Sequence, residues 1–325
     1  MTHRASERRR VLVTDYAWPD LEIERGILEP AGIDLVLPRG RSEAELIEAA
    51  SGVDAIMTNW ATTSAAVIGA APECRIVARL GIGLDNIDVA YCTSRGIPVT
   101  NVPDYCVIEV AEHAMALLLA LARNVAWYHH RTKQGAYQLQ EGPALRRIAG
   151  RTLGIVGYGK IGRALADRAR AFGLRIVATR RRADLTEPGV EFLPLDDLLS
   201  QSDFVSLHVP LTDETRGMIS AERLARMKPG ACLINTARGG VVDHDGLARS
   251  LASGHLAGAG LDVQTPEPPD LSRAPYDDPR VIVTPHAAFV SAESLADLRR
   301  RAATQVVERL AGRIPESVVN PSVLS

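Results

Sequence analysis

The feature that most narrows what this chain can fold into is Gly157-Tyr158-Gly159-Lys160-Ile161-Gly162. It follows the apolar run Leu153-Gly154-Ile155-Val156 and opens a stretch of alternating Ala and Arg. A strand, a glycine turn and a helix in that order form a dinucleotide-binding crossover. The first glycine permits the tight turn, and the second lets the backbone approach a pyrophosphate. The third allows the helix to pack closely on the sheet, with its N-terminus facing the anion. The plain alternative is a glycine-rich turn without a ligand, and the flanking strand and helix weigh against it.

The pattern around the loop is that of an α/β protein. From Thr152 onward, strands are predicted at Leu153–Val156, Arg175–Ala178, Phe204–Leu207, Ala231–Ile234, Ala257–Leu261 and Val281–Val283. Helical spacing or composition fills the gaps at Ile161–Phe172, Leu195–Gln201, Ser220–Met227 and Asp245–Ser253. The first hundred residues repeat the alternation, with strands at Val11–Val13, Ile33–Leu37, Ala55–Met57, Ile76–Ala78 and Pro98–Thr100. Helices fall between them at Leu21–Leu28, Glu43–Ala50 and Ala65–Ile68. Such alternation implies parallel sheets built from βαβ units. Two doubly wound domains are therefore expected: a Rossmann dinucleotide-binding domain at 103–291 and a smaller flavodoxin-like substrate domain. The smaller one is discontinuous, made of 1–102 plus 292–325, with the helical stretch Ser291–Leu310 returning to it. One long helix is predicted over Tyr105–Gly135, either a connector or subunit contact, or a core helix with an exposed end.

Composition removes several function classes. Lys and Arg number 37 against 39 Asp and Glu, a net charge of -2, and aromatics are 4% of the 325 residues. Neither a basic surface nor a stacking platform for nucleic acid is indicated. Cys74, Cys92, Cys106 and Cys232 form no CxxC pair and no metal-ligand spacing, so free thiols in a reducing cytoplasm are expected, with no metal. The basic N-terminus is followed only by Val11-Leu12-Val13, too short an apolar core for a secretory signal. The longest apolar run, Ala114–Ala122, is too short to span a bilayer. A soluble chain without a membrane partner is expected.

The choice of dinucleotide turns on the end of the second strand of the dinucleotide-binding domain. An acid about 20 residues beyond the glycine loop would bond the ribose 2′-hydroxyl of NAD. Here Thr179 is followed by Arg180-Arg181-Arg182, and no carboxylate appears until Asp184. Guanidinium groups suit a 2′-phosphate, so NADP(H) is expected in preference to NAD(H). A solvated arginine run is the alternative.

Three later segments also leave predicted strands: Asn235-Thr236-Ala237-Arg238, Leu261-Asp262-Val263-Gln264-Thr265-Pro266-Glu267 and Thr284-Pro285-His286. In an open parallel sheet, loops at the carboxyl ends of strands lie on the ligand side. A lone His, Arg or Glu in a loop is usually structural or solvated. One of each at strand ends of a single dinucleotide-binding sheet marks a candidate site.

With those segments, and with Ala78-Arg79-Leu80-Gly81-Ile82-Gly83-Leu84-Asp85-Asn86-Ile87-Asp88 and His208-Val209-Pro210-Leu211-Thr212, the chain resembles the D-isomer-specific 2-hydroxyacid dehydrogenases over nearly its whole length. Arg79–Gly83 and Asn101-Val102-Pro103 are similar to the subgroup containing phosphoglycerate dehydrogenases and C-terminal-binding-protein co-repressors. The resemblance implies hydride transfer between a nicotinamide and a 2-keto or 2-hydroxy acid. It makes His286 the general acid/base, Glu267 the carboxylate that holds the imidazole and raises its pKa, and Arg238 the contact for substrate carboxylate and carbonyl. It also places main-chain N–H groups of Leu80, Gly81, Ile82 and Gly83 on the substrate carboxylate. Asp262 would lie near the nicotinamide, with Thr236, Ala237, His208, Val209 and Pro210 along the cofactor cleft. The arginine run departs from the acid of NAD-preferring members, and Val263-Gln264 stands where an aromatic often follows.

Arg79 precedes the Gly81–Gly83 clasp. It either adds positive charge to the pocket, favouring a substrate with a second acidic group, or pairs with a nearby acid. Trp60 either walls the pocket or packs in the core. The expected activity is reduction of a small 2-keto acid, with a homodimer formed through the long helix near Glu109–Arg131. The competing class is a dinucleotide-sensing, protein-binding module like the co-repressors. The complete Arg238, Glu267 and His286 set favours the enzyme.

Overall fold

The computed structural model describes residues 8–140, 142–181 and 186–324. The chain divides into two compact units, Met1–Tyr105 with Ser291–Ser325, and Cys106–Val290.

The first unit runs β1 (Arg9–Val13), α1 (Glu22–Leu28), β2 (Ile33–Val36), α2 (Glu43–Ala50), β3 (Ala55–Thr58), α3 (Ala65–Gly69), β4 (Val77–Arg79), α4 (Val89–Ser94) and β5 (Val99–Thr100). Its five strands pair only in parallel, in the order β2-β1-β3-β4-β5. The order reverses between β1 and β3, so the loops leaving those strands flank the crevice where such sheets bind ligands. Side chains alternate across the sheet as the period of two requires. Val11 and Val13 face one core with Leu28, while Leu12 faces another with Leu46, Val67 and Cys92.

The second unit opens with α5 (Val107–Ala122) and α6 (Val125–Lys133). It continues through β6 (Thr152–Val156), α7 (Lys160–Ala171), β7 (Arg175–Thr179), β8 (Val190–Phe192), α8 (Leu195–Gln201), β9 (Phe204–Leu207) and α9 (Ala221–Arg226). β10 (Ala231–Asn235), α10 (His244–Ala252), β11 (Leu256–Leu261) and β12 (Val281–Val283) complete it. The strand order is β12-β11-β10-β9-β6-β7-β8, again all parallel. That is the 3-2-1-4-5-6 order of a Rossmann sheet with a seventh strand added, and its reversal lies between β6 and β9. Leu153 and Ile155 of β6 pack with α5 and α7 on one face, and Val156 packs with α8 and α9 on the other. A side chain on Gly154 would stand 2.2 Å from Ser202 Oγ and 2.6 Å from Leu198 Cδ2, so α8 rests directly on the strand backbone.

The chain then returns to the first unit as α11 (Ala292–Leu310), whose Leu298, Ala302 and Val306 cover the Val11 and Val13 face. Arg299 of this helix forms a buried ion pair with Glu24 of α1 at 2.8 Å, and its guanidinium lies over the Trp18 ring. Local chemistry sets the helix starts: side chains of Ser42, Ser64, Asp88, Ser220, Asp243 and Ser291 each accept a backbone N–H.

Three details differ from the sequence reading. α4 and β8 are too short for periodicity to reveal them. The long helix predicted over Tyr105–Gly135 is two helices, because Asn124 takes a left-handed conformation, φ 50°. Its side-chain amide donates to Pro143 O at 3.0 Å, a tertiary contact that no local pattern announces. Among the described residues no helix is long and apolar enough to cross a membrane.

Ile155 sits at the centre of the second unit with no exposure. Ile155→Ala should cost about 2–5 kcal/mol of stability, measured as a lowered urea midpoint. A shift worth less than about 0.5 kcal/mol would contradict this packing account.

Candidate active site

At the end of β6, Gly157 has φ +97°, and a Cβ there would meet His208 O at 2.5 Å. A Cβ on Gly162 would meet Gly157 O at 2.6 Å. Fold geometry alone therefore demands these two glycines. Gly159 differs, since a Cβ there would have nothing within 4 Å, and it begins α7 without a side-chain cap. Open space over uncapped helix N–H groups fits the close approach of a pyrophosphate. Tyr158 belongs to the core and packs edge-on against Phe192, with Ile161 also packed inward. Lys160 is exposed.

β7 ends at Thr179, where Arg180 turns back so that its guanidinium carbon lies 3.7 Å from the Phe192 ring centroid. All three guanidinium nitrogens are buried, and none has a hydrogen-bond acceptor among the described residues. A buried cation without an acceptor is costly, and a phosphate at this strand end would satisfy it. Arg181 is exposed; Arg182 and Asp184 lie outside the described residues. Beyond β9, His208 contacts Ser206 Oγ at 2.9 Å, and burial pushes its imidazole down to about 4, so it stays neutral near pH 7. Val209 packs against the core and Pro210 is exposed.

The turn after β10 is pinned by the fully buried Asn235. Its amide donates to Arg238 O at 2.9 Å and accepts from Ala237 N at 3.0 Å, while Arg238 Nη1 donates to Ala237 O at 2.8 Å. The Thr236 hydroxyl is buried without a partner among the described residues. From the loop after β11, Glu267 Oε2 lies 2.9 Å from His286 Nδ1, and its Oε1 accepts from Gln264 N at 2.8 Å. Burial alone would raise the Glu267 pKa. The hydrogen bond and charge of His286, the Gln264 N–H and the charge of Arg238 outweigh it and hold the carboxyl below its usual range.

His286 has φ +52°, a left-handed conformation that costs a non-glycine residue energy and persists only when neighbours enforce it. Here the enforcement is visible. The Asp262 carboxylate, fully buried, accepts from the Thr284 hydroxyl at 2.6 Å and from the Ala287 and Ala288 N–H groups at 2.9 Å each. The His286 N–H donates to Asp262 O at 2.8 Å. His113 of α5 reaches Thr284 Oγ1 at 3.0 Å with Asp262 Oδ1 3.4 Å away, and Gln264 donates to Leu261 O and Thr284 O. Asp262 thus faces inward and shapes the loop that carries His286. Nothing in the sequence distinguishes His113 from a core residue, and Gln264 stands out only as a departure from the aromatic that often follows there.

In the first unit Arg79 is 6% exposed. Its Nε donates to Gly83 O at 2.9 Å, and its Nη1 reaches Asn59 Oδ1 at 3.2 Å and Leu80 O. It therefore holds the following loop from beneath by carbonyl oxygens. Gly81 is needed there, since a Cβ would lie 2.7 Å from Arg79 Nη1. Leu80 is buried and its N–H goes to Thr58 O at 2.8 Å. Among the described residues no hydrogen bond uses the N–H groups of Gly81, Ile82 or Gly83. The Trp60 ring is substantially exposed, on a loop fixed by Asp15, whose carboxylate accepts the N–H groups of Asn59, Trp60 and Ala61 at 2.9–3.1 Å. Asp15 was not found from sequence. Among the described residues no group of three or more His, Cys, Asp or Glu could hold a metal ion.

Because the Glu267 pKa is lowered by folding, the contacts that favour its ionised form, from His286, the Gln264 N–H and Arg238, should stabilise the fold fully above pH about 4.5. The stabilisation should fade as pH falls through the lowered folded value. The stability gap between wild type and Glu267→Gln, followed by thermal unfolding from pH 7 to 3, should therefore close only at acid pH. A gap independent of pH would contradict the pairing.

The chain is similar to known proteins over most of its length. The family profile for the D-isomer specific 2-hydroxyacid dehydrogenase NAD binding domain matches residues 115–288. A glyoxylate reductase from Korarchaeum cryptofilum is 43% identical over 295 residues, 87% of each chain. A D-3-phosphoglycerate dehydrogenase from Mycobacterium tuberculosis is 41% identical over 297 residues, which are 86% of this chain and 54% of that protein. The present chain thus spans about half of that relative. Among solved structures, a glyoxylate reductase from Paecilomyes thermophila superposes with a TM-score of 0.85 at 28% identity, covering 97% of this chain and 99% of that one.

Proposed function

This chain belongs to the D-isomer specific 2-hydroxyacid dehydrogenase family and is an NAD(P)-dependent oxidoreductase of 2-hydroxy acids, and we propose that it works as an NADP(H)-preferring reductase of a small 2-keto acid such as glyoxylate or hydroxypyruvate. The observation that carries the reading is the His286–Glu267 pair at 2.9 Å, beside Arg238 and on the same sheet as the glycine loop. The similarity to glyoxylate reductases supports the substrate class.

In this reading the reduced nicotinamide, when bound, supplies the hydride. The residues that would hold it are Gly157–Gly162 at the pyrophosphate, Arg180 at the 2′-phosphate, and His208–Pro210 with Thr236 and Ala237 along the nucleotide's length; Asp262 would lie near the nicotinamide without holding it, since its carboxylate is committed to the His286 loop. His286, held by the Glu267 carboxylate through Nδ1, presents Nε2 and donates its proton to the carbonyl oxygen as negative charge develops there. Arg238 binds the carboxylate and carbonyl oxygens and stabilises that charge. In the first unit, the N–H groups of Gly81, Ile82 and Gly83, which make no hydrogen bond among the described residues, are the proposed carboxylate contact, and Trp60 is a proposed substrate contact. Arg79 acts there through its buried positive charge and its hold on the loop. With its Nε and Nη1 committed to carbonyl oxygens, a keto acid with a small uncharged substituent fits better than one with a second acidic group.

The proposed preference for NADP(H) rests on the Arg180 guanidinium, buried without an acceptor among the described residues. A homodimer is proposed through α5, α6 and the segment beyond, where Val125, Tyr137 and Leu139 are exposed. The cysteines are all buried free thiols, which supports a cytoplasmic setting.

The test is absorbance of NADPH or NADH with glyoxylate, pyruvate, hydroxypyruvate, oxaloacetate and phosphonopyruvate. NADPH oxidation with glyoxylate or hydroxypyruvate is expected; oxidation with none of the five would overturn the reading. His286→Ala should lower turnover by ~10²–10⁴-fold and leave NADPH binding intact, and turnover equal to wild type would remove His286 from its role. Losing charge-assisted bonds of about 1.5–3 kcal/mol, Arg180→Gln should weaken NADPH roughly 10- to 100-fold and leave NADH unchanged. Equal effects on the two dinucleotides would show that Arg180 does not read the 2′-phosphate.

A further inference from the structure

The loop carrying Arg238 and the loop carrying Glu267 leave different strands, β10 and β11, and two side chains outside the catalytic set join them. His244, the first residue of α10, has Nε2 3.1 Å from Gly239 O and Nδ1 3.0 Å from Tyr276 Oη. The two rings lie 5.8 Å apart. Gly239 directly follows Arg238. Tyr276 closes the segment that begins at Gln264.

The hydrogen-bond inventory allows one assignment for a neutral imidazole. Gly239 O can only accept, so Nε2 carries the proton. Nδ1 then offers its lone pair to the Tyr276 hydroxyl. The imidazole is largely buried, and burial lowers its pKa in spite of Asp243 and Asp245 nearby, which favours the neutral form this pattern needs. A second contact lies beside the first. A Cβ on Gly239 would stand 2.1 Å from Gln264 O and 2.6 Å from Thr265 Oγ1. The backbones of the two loops therefore touch, and only glycine at 239 permits it. Since Gln264 N donates to Glu267 Oε1, a continuous path runs from the Arg238 backbone to the Glu267 carboxylate.

We propose that His244 and Tyr276 form a clasp that fixes Arg238 relative to the Glu267–His286 pair, which makes both of them positioning residues for keto-acid reduction. This rests on the catalytic reading above. Neither residue touches the reacting atoms. Each acts through the loop it holds, so breaking the clasp anywhere should loosen both loops.

The test uses Tyr276→Phe, which deletes only the hydroxyl, His244→Gln, which keeps a donor near the Nε2 position, and the double variant. Each is measured for kcat and KM with NADPH and glyoxylate and for amide hydrogen exchange. Each single variant should lose roughly 3- to 10-fold in kcat/KM with glyoxylate, about the worth of one net hydrogen bond. KM for NADPH should be unchanged, and the double variant should be no worse than the poorer single one. Exchange should show the cross-effect: Tyr276→Phe speeds the amides of Val241 and Val242, and His244→Gln speeds that of Gln264. A purely local structural role would move only the loop next to the substitution, and that result overturns the clasp, as do additive losses in the double variant. If wild type turns over no keto acid, the catalytic reading fails by itself. Exchange then decides the clasp alone, with cross-loop acceleration supporting it and its absence overturning it.

Discussion

The site depends on one buried carboxylate. Asp262 leaves β11 pointing into the protein and gathers the Thr284 hydroxyl and the N–H groups of Ala287 and Ala288. A charge without exposure is tolerable only when its lone pairs are satisfied, and here they are satisfied by the loop that must be shaped. The left-handed backbone of His286 follows from that cage. With the backbone so held, the imidazole reaches the Glu267 carboxylate. Glu267 in turn is held by the Gln264 N–H and stays charged because of His286 and Arg238. Strain at one residue is thus enforced by a neighbour whose carboxylate is turned into the protein.

The same division between residues that act and residues that hold recurs in the first unit. Asp15 fixes the Trp60 loop by three backbone N–H groups, and Arg79 fixes the loop after β4 by carbonyl oxygens. Of the groups left over, three N–H groups in a row face no partner among the described residues, which is the chemistry expected of a carboxylate contact. In the second unit the division is read from glycines. Gly157 and Gly162 have no room for a side chain, whereas Gly159 has room and nothing filling it.

Much of this was legible in the sequence because it rests on short-range rules. Glycines at fixed spacing between a strand and a helix, and apolar runs alternating with helical ones, specify parallel doubly wound sheets. Arg238, Glu267 and His286 stood out because each follows a strand of one sheet. What remained hidden depends on tertiary contacts. The break at Asn124 needs Pro143, and the inward turn of Asp262 needs Thr284 and the loop behind it. Arg79 reads either as a charge for the pocket or as the partner of a nearby acid, and its bonds to the oxygens of Gly83, Asn59 and Leu80 are tertiary contacts that no local pattern announces. Asp15, His113, His244 and Tyr276 are ordinary residues in sequence, distinguished only by the partners that folding brings to them.

Asp262 sets the geometry of His286. This is tested most directly by single-turnover kinetics of Asp262→Ala, with NADPH prebound and its affinity measured separately. The reduction step should slow to within about tenfold of the His286→Ala rate, because the cage is gone although the imidazole remains. The protein should still fold and bind NADPH. A reduction step near the wild-type rate would show that His286 finds its working position without the buried carboxylate.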